Sequence, residues 1–363
     1  MNSNQITIHL NAIRNNYQLL QKWAGPDVCL MAVIKSDAYG HGMVPVAHTL
    51  DRAGCQQFAV FDVSEGLILR DNGFSQAILI LKGVDLKNLD RIVAQDLTCA
   101  LYQQDMAQYL SQTARKHNKH AKVQIKVDSG MNRLGIYPND LDNFMRAIQQ
   151  LPGIQINGFM SHFAVADQPN DAYTKRQIDI FNDAIAPYAD LTNHLANSGG
   201  ITDRKGINFP IARAGIALYG SSPQWPLAKQ LAPAMSFQSE VLYVKTVPQG
   251  ETISYGRTFK TIKPTRVATI PVGYADGYNR MFSNKSSVLI QGKKAPVIGR
   301  VCMNLIMVDV SDIDNISHGE PVVLLGKQGD DCITADELAS YANTISYEIM
   351  CTLGAANHRV YCQ

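Results

Sequence analysis

The feature that most constrains this chain is a series of short, continuously apolar runs in its first two thirds, most of them separated by segments of helical period. The runs occupy residues 29–35, 58–62, 77–82, 98–102, 123–128, 158–162, 192–197 and 211–219. Between several of them, for example over 141–151 and 173–186, apolar side chains recur at i, i+3 and i+4. A strand covered on both faces reads as an unbroken apolar run rather than an alternation, so runs alternating with helices describe parallel β/α units. Eight runs in that span predict an α/β fold, a closed (β/α)8 TIM-type barrel. The structural rival is an open doubly wound sheet, but no GxGxxG follows the first run.

The texture changes near residues 231–233. Period-2 stretches follow at 239–247, 266–272, 287–291, 305–310 and 321–325, separated by turn residues such as Pro248-Gln249-Gly250 and Gln291-Gly292. They predict a smaller, mainly β domain in which only 334–344 reads as helix, with Asp336 and Glu337 in its first turn. The expected division is a barrel over 1–231 and a β domain over 232–363. The first strand, about residues 1–10, is a candidate to pack on the β domain instead.

Composition narrows the function classes. Hydrophobic residues make up 46% and charged residues 18%, enough apolar surface for two cores. The formal net charge is +2 and no basic stripe stands out, so nucleic acid is not an expected partner. The apolar runs are too short to span a bilayer, and residues 1–28 hold no apolar stretch of signal-peptide length, so no membrane partner is expected. Seven scattered cysteines without a CxxC pair make a disulfide framework or a metal site unexpected and fit a reducing cytoplasm.

Polar residues gather at the ends of the apolar runs, the rim where barrel enzymes place their chemistry. Lys35 follows Met31-Ala32-Val33-Ile34; apolar walls lower a lysine's pKa and prepare it for Schiff-base chemistry, although a snorkelling strand-end lysine has the same pattern. Tyr39, between Asp37 and the glycines Gly40 and Gly42, has a hydroxyl to donate. Lys126, Asp128 and Arg133 put three charges near one strand end, which calls for a bound anion or an internal ion-pair network. His162 ends the sixth run; a lone histidine there is more often structural than catalytic. Asn197-Ser198-Gly199-Gly200 at a strand–helix junction suits a phosphate. Arg213 sits in an apolar segment and needs a partner, and Gly215, beside Ile216, allows close backbone approach. In the β domain, Gly273-Tyr274-Ala275-Asp276-Gly277 and Arg300-Val301-Cys302-Met303-Asn304 are polar intrusions after apolar stretches.

Together these segments resemble the alanine racemase family of fold-type III pyridoxal-phosphate enzymes. The most specific match is the stretch from Ala32 to Gly42, and the matching segments follow in the family's order from Lys35 to about Cys351. The resemblance implies that the chain is a pyridoxal 5'-phosphate-dependent racemase interconverting L- and D-alanine by a two-base mechanism, supplying D-alanine to peptidoglycan. Lys35 would bind the cofactor covalently and act as base on one face of the substrate Cα; Tyr274 would be the base on the other. A tyrosine, with an ordinary pKa of about 10, serves as a base near neutrality only if its neighbours lower that value, and His162, backed by Arg213, matches its partner. Arg213 would also face the pyridine nitrogen and keep it unprotonated, which restrains side reactions. Tyr39, Asn197, Ser198 and the backbone of Gly215 and Ile216 would hold the phosphate. Arg133 and the amide of Met303 would hold the substrate carboxylate, and Lys126 matches a lysine that becomes carbamylated. In the family the tyrosine base comes from a second subunit, which implies a homodimer with shared active sites.

Two positions depart from the pattern. Ala355 stands where the family commonly has a tyrosine, and Asn304 where an aspartate is usual. A roomier entrance and acceptance of serine, lysine or other amino acids is therefore an alternative to strict alanine specificity. Rival functions are a non-catalytic cofactor carrier, against which the β domain with Tyr274 counts, a fold-type III decarboxylase, against which Arg213 counts, and a purely structural or binding protein.

Overall fold

The computed structural model describes residues 4–168, 171–188, 191–221 and 229–363. The chain divides into two compact units. One holds the N-terminal segment through Ala12, the short segment Tyr39–Gly42 and Pro233–Gln363; the other holds Ile13–Ala38 and Met43–Ala232. The first strand, β1 (Gln5–His9), belongs to the former.

The larger unit is the expected β/α fold. Seven parallel strands, β2 (Cys29–Val33), β3 (Gln57–Val60), β4 (Ala77–Ile80), β5 (Thr98–Leu101), β6 (Ala121–Lys126), β7 (Ile154–Met160) and β8 (Ile211–Ala214), lie in the order β7-β6-β5-β4-β3-β2-β8. Their unbroken apolar character follows from burial on both faces: Ile78, Leu79 and Ile80 are buried on β4, as are all of Thr98–Leu101. Helices such as Gln104–Lys116 and Pro138–Gln149 cover the sheet with one apolar stripe each, Ala107, Leu110 and Ala114 in the first, Leu141, Met145 and Ile148 in the second.

One expected strand differs. The run at 192–197 forms no regular strand among the described residues; His194 alone bridges Met160 on one side and Ile211 on the other. The backbone alternates between neighbours there, with His194 N donating to Phe159 O (2.9 Å), Ser161 N to His194 O (3.2 Å) and Arg213 N to Ala196 O (3.0 Å). The side chain of Asn193 takes the Phe159 N–H (3.0 Å) that a longer ladder would use. These two bridges through one residue join the two ends of the seven-stranded sheet.

In the smaller unit, β1 lies between Met235–Glu240, antiparallel to it, and Arg359–Cys362, parallel to it. The same sheet continues through Pro321–Gln328, Ser287–Ile290 and Lys293–Pro296. A separate three-stranded sheet holds Tyr243–Val247, Thr265–Ile270 and Ile306–Asp309. The stretch 239–247, expected as one strand, is therefore shared between two sheets. Val241 N turns to Glu320 O (2.9 Å) and Leu242 N to Thr269 O (2.8 Å), which splits it. A second helix, Ser346–Ala356, joins the expected one at Ala335–Ala342. Its buried residues Ser346, Ile349, Met350, Leu353 and Gly354 include small and polar types, so no clean apolar stripe announced it.

Candidate active site

The polar residues at the barrel rim form one electrostatic cluster in the larger unit. Arg213 on β8 is 3% exposed. Its guanidinium donates to the carbonyls of Ser161 (2.6 Å), Leu195 (3.1 Å) and His194 (3.4 Å), to Nδ1 of His162 (3.3 Å) and to Nδ1 of His194. Among the described residues no carboxylate is ion-paired with it. Carbonyl and imidazole acceptors satisfy the planar fork without neutralising it, and burial lowers its pKa only to about 10, so Arg213 stays cationic near neutrality.

That fixed charge controls its neighbours. Desolvation, followed by Arg213, Lys126, Arg133 and Lys35, pushes His162 well below the ordinary histidine range. His194 is pushed down by burial, Arg213 and Lys126. Both imidazoles are therefore neutral near pH 7. Because a guanidinium can only donate, Nδ1 of His194 accepts and its hydrogen lies on Nε2. Lys126, buried at the end of β6, is lowered to about 7 by desolvation, Arg213 and Arg133, with Asp128 opposing. Asp128 folds the following loop back on itself by accepting from Gly130 N and Asn132 N, both at 3.0 Å. Gly135 closes that loop: a Cβ there would meet Asp128 N at 2.7 Å. Arg133 is exposed within it.

Lys35 is half-buried, with its Nζ 6.0 Å from the centroid of the Phe61 ring. The chain leaves β2 there in an unusual way. Ser36, Asp37, Ala38 and Tyr39 have φ of 53°, 52°, 55° and 54°, a left-handed turn of four non-glycine residues, each costing about 1–2 kcal/mol. Such strain persists only where the surroundings hold it, and it concentrates at functional positions.

The larger unit also holds a set of donors suited to an anion. Ser198 Oγ accepts from Gly215 N (2.9 Å) and Ala217 N (3.3 Å), which ties the short helix Ser198–Thr202 to the turn Ile216–Tyr219. Asn197 caps that helix by accepting from Gly200 N at 3.0 Å. The Ser198 hydroxyl, which accepts from these N–H groups and keeps its own hydrogen to donate, and the remaining backbone N–H groups at the start of the two turns, with no carboxylate among them, fit the phosphate of pyridoxal phosphate. An amine emerging from apolar walls at Lys35 fits its aldehyde.

The remaining candidates lie in the smaller unit. Tyr39 is 7% exposed, with its ring 5.8 Å from that of Tyr347; burial and the neighbours Tyr347 and Cys351 raise its pKa. Tyr274 is 44% exposed and Met303 56%. Their loops are locked together: Tyr274 N donates to Cys302 O (3.1 Å) and Ala275 N to Met303 O (3.0 Å). Gly273 permits this, since a Cβ would meet the Met303 and Cys302 carbonyls at 2.2 and 2.3 Å. Asp276 braces the turn by accepting from Gly273 N (2.9 Å) and from the Asn4 amide (3.2 Å). Asn304 and Ala355 are exposed, the latter on helix Ser346–Ala356. Gly354 packs this helix on the backbone of Gly40: a Cβ would meet Gly40 O at 2.0 Å.

Family models agree with this arrangement along the chain. One described as alanine racemase, N-terminal domain, matches residues 8–223, and one described as alanine racemase, C-terminal domain, matches residues 234–361. The chain belongs to the alanine racemase family. An alanine racemase of Syntrophobacter fumaroxidans is 42% identical over 355 residues, covering 96% of this chain and 95% of that protein. The crystal structure of alanine racemase from Streptomyces lavendulae superposes with a TM-score of 0.94 at 32% identity, covering 100% and 98% of the two chains. That from Bartonella henselae, which carries covalently bound pyridoxal phosphate, gives 0.92 at 30% identity with full coverage of both. Pyridoxal phosphate is the cofactor of the alanine racemase family, and the expected fold, a β/α barrel unit with a mainly β unit, is the one found.

Sequence reasoning passed over several residues that shape the cluster. His194 carries no signal of its own in the sequence, yet its Nδ1 accepts from Arg213 as that of His162 does. Gln177, on helix Ala172–Ile185, donates to His162 O (3.0 Å) and accepts from Ala164 N (2.9 Å). Its full burial could have flagged it, but burial of one glutamine on a helix is not readable from its neighbours in sequence.

Proposed function

We propose that this protein interconverts L- and D-alanine, with Lys35 and Tyr274 exchanging the Cα proton on opposite faces of the substrate. The observation that carries the reading is Arg213: a buried cation held by carbonyls and imidazoles, surrounded by Lys126, His162, Arg133 and Lys35 within one cluster. When bound, pyridoxal phosphate withdraws electron density from the substrate Cα and so acidifies its proton. Arg213 would face the pyridine nitrogen and, as a permanent donor, keep it unprotonated. Asn197, Ser198, Gly215, Ile216 and Tyr39 would hold the phosphate. Arg133 and the Met303 amide hold the substrate carboxylate. Lys126, with a pKa near 7, offers an uncharged amine to carbon dioxide. Carbamate formation from that neutral amine releases one proton, or two counted from the ammonium form, and replaces a cation with an anion that can brace Arg133.

Neutral His162, whose Nδ1 accepts from Arg213, carries its hydrogen on Nε2 and can donate it to the Tyr274 oxygen, which favours the phenolate. Tyr274 is contributed by a second copy of the chain, so the working form is a homodimer with shared sites. The exposed apolar side chains Tyr255, Met281, Met303 and Leu305 support this reading, since a partner surface would cover them. No helix among the described residues is long and apolar enough to cross a membrane. The place of action is the cytoplasm, and the D-alanine serves peptidoglycan. Alanine is the substrate proposed; broadened acceptance of serine or lysine at Ala355 has no support among the relatives.

The test follows Cα–H exchange with deuterated solvent alongside racemisation. Tyr274→Phe is expected to stop racemisation while one enantiomer alone continues to exchange through Lys35, and Lys35→Ala to stop both. Equal exchange of both enantiomers by Tyr274→Phe rules out the two-base arrangement. Retained racemisation by Lys35→Ala rules out Lys35 as the cofactor lysine and base, and absence of racemisation by the wild type rules out the function.

A further inference from the structure

We propose that Glu65 is the residue that positions Lys35, an inference that rests on Lys35 being the cofactor lysine. In the parallel ladder between β2 and β3, Ile34 N donates to Ala59 O at 2.9 Å. A continued ladder would make Ser36 the next donor, to Phe61 O, but Phe61 O accepts from Lys82 N (3.0 Å) and the chain has already entered its left-handed turn. Glu65 supplies the missing acceptor. Its Oε1 takes the Ser36 N–H at 2.6 Å, while its Oε2 takes the N–H groups of Phe61 (2.8 Å) and Asp62 (3.2 Å).

The two oxygens therefore have different duties. Oε2, with the Asp62 side chain, forms the capping box that starts helix Val63–Asp71. Oε1 reaches 29 residues back to the amide that follows Lys35. One carboxylate thus ties together the backbone beside Lys35 and the backbone of Phe61, the residue whose ring lies 6.0 Å from the Lys35 ammonium. The far end of the same turn is held separately, by Asp37 Oδ1 accepting from Met43 N at 2.6 Å. A helix start alone needs only the capping half of this arrangement, so the bond to Ser36 is surplus to the cap and serves the turn that aims the lysine.

Glu65→Gln separates the duties. Its amide keeps one oxygen for the helix start and turns an NH2 group towards the Ser36 N–H. Asp62→Ala does the reverse, removing the cap while leaving the bond to Ser36. For each holoenzyme the dissociation constant of pyridoxal phosphate and the midpoint pH of the absorbance from the lysine–cofactor bond are measured, together with Tm of the cofactor-free chain. Glu65→Gln is expected to weaken cofactor binding about tenfold and shift the absorbance midpoint, with Tm within about 2 °C of wild type. Asp62→Ala is expected to lower Tm by about 2–4 °C and leave both spectroscopic readings unchanged. Unchanged cofactor binding and absorbance in Glu65→Gln, or equal changes in Asp62→Ala, overturn the proposal. Borohydride reduction and peptide mapping of the wild type separate the two readings. A label elsewhere than Lys35 removes the cofactor-lysine assignment, whereas a label on Lys35 with an unaffected Glu65→Gln removes only the role of Glu65.

Discussion

At the scale of single residues, the site is governed by cations held out of water. Lys126 gives the clearest consequence. The buried site binds its proton less tightly than the unfolded chain does, since its pKa is about 7 against an ordinary value of about 10.4. Between those values the unfolded state carries more protons, so the stability attributable to this group rises with pH through that window and its penalty is fully present below about pH 7. Lys126→Met is therefore expected to flatten the rise of Tm between pH 7 and pH 10 in buffer free of carbon dioxide, and to raise Tm relative to wild type most at pH 6. Parallel Tm–pH curves for the two proteins would refute the buried, depressed lysine. The candidates at this scale were readable because lysine and arginine at the ends of apolar runs are out of place there. What held them was not: the acceptors of Arg213 are carbonyls of Ser161, His194 and Leu195, atoms every residue has and no sequence marks.

At the scale of elements, close backbone contacts decide where the loops sit. The loop bearing Tyr274 is fastened to the Cys302–Met303 segment because Gly273 leaves room for two carbonyls. Gly273→Ala must push these backbones apart, at a cost of about 1–3 kcal/mol, and break the two hydrogen bonds that place Tyr274 and Met303. Calorimetry is expected to report a lower Tm, and steady-state kinetics a kcat reduced more than tenfold. Normal kcat and Tm would mean that the two loops are not coupled. The regular strands were legible from their periodicity, which is local. The irregular seventh position and the shared stretch at 239–247 were not: in the first the Asn193 side chain accepts the Phe159 N–H of the neighbouring strand, and in the second the backbone donors Val241 N and Leu242 N find Glu320 O and Thr269 O, in each case across a long separation in sequence. Helix Ser346–Ala356 hid for a related reason: Gly354 is buried against Gly40, a contact that replaces the apolar residue a stripe would show.

At the scale of the whole molecule, the proposed homodimer with shared sites makes a quantitative prediction. Lys35→Ala and Tyr274→Phe subunits, each inactive alone, are expected to regain activity when unfolded together and refolded as an equal mixture. Random pairing makes half the dimers mixed, each with one intact Lys35–Tyr274 pair among its two sites, so roughly a quarter of wild-type activity should return. Absence of recovery, with mixed dimers confirmed by mass, would place both bases in one chain. The sequence by itself determined the class of each half, the order of the chemical segments and the family, because apolar period and motif spacing are properties of neighbouring residues. Only the tertiary structure decided that β1 pairs with Met235–Glu240 and Arg359–Cys362, that His194 joins the ends of the barrel sheet through one bridge to each, and that Glu65 accepts the amide beside Lys35. These are hydrogen bonds between groups far apart along the chain, and which acceptor a donor finds is settled by where the folded backbone brings them together.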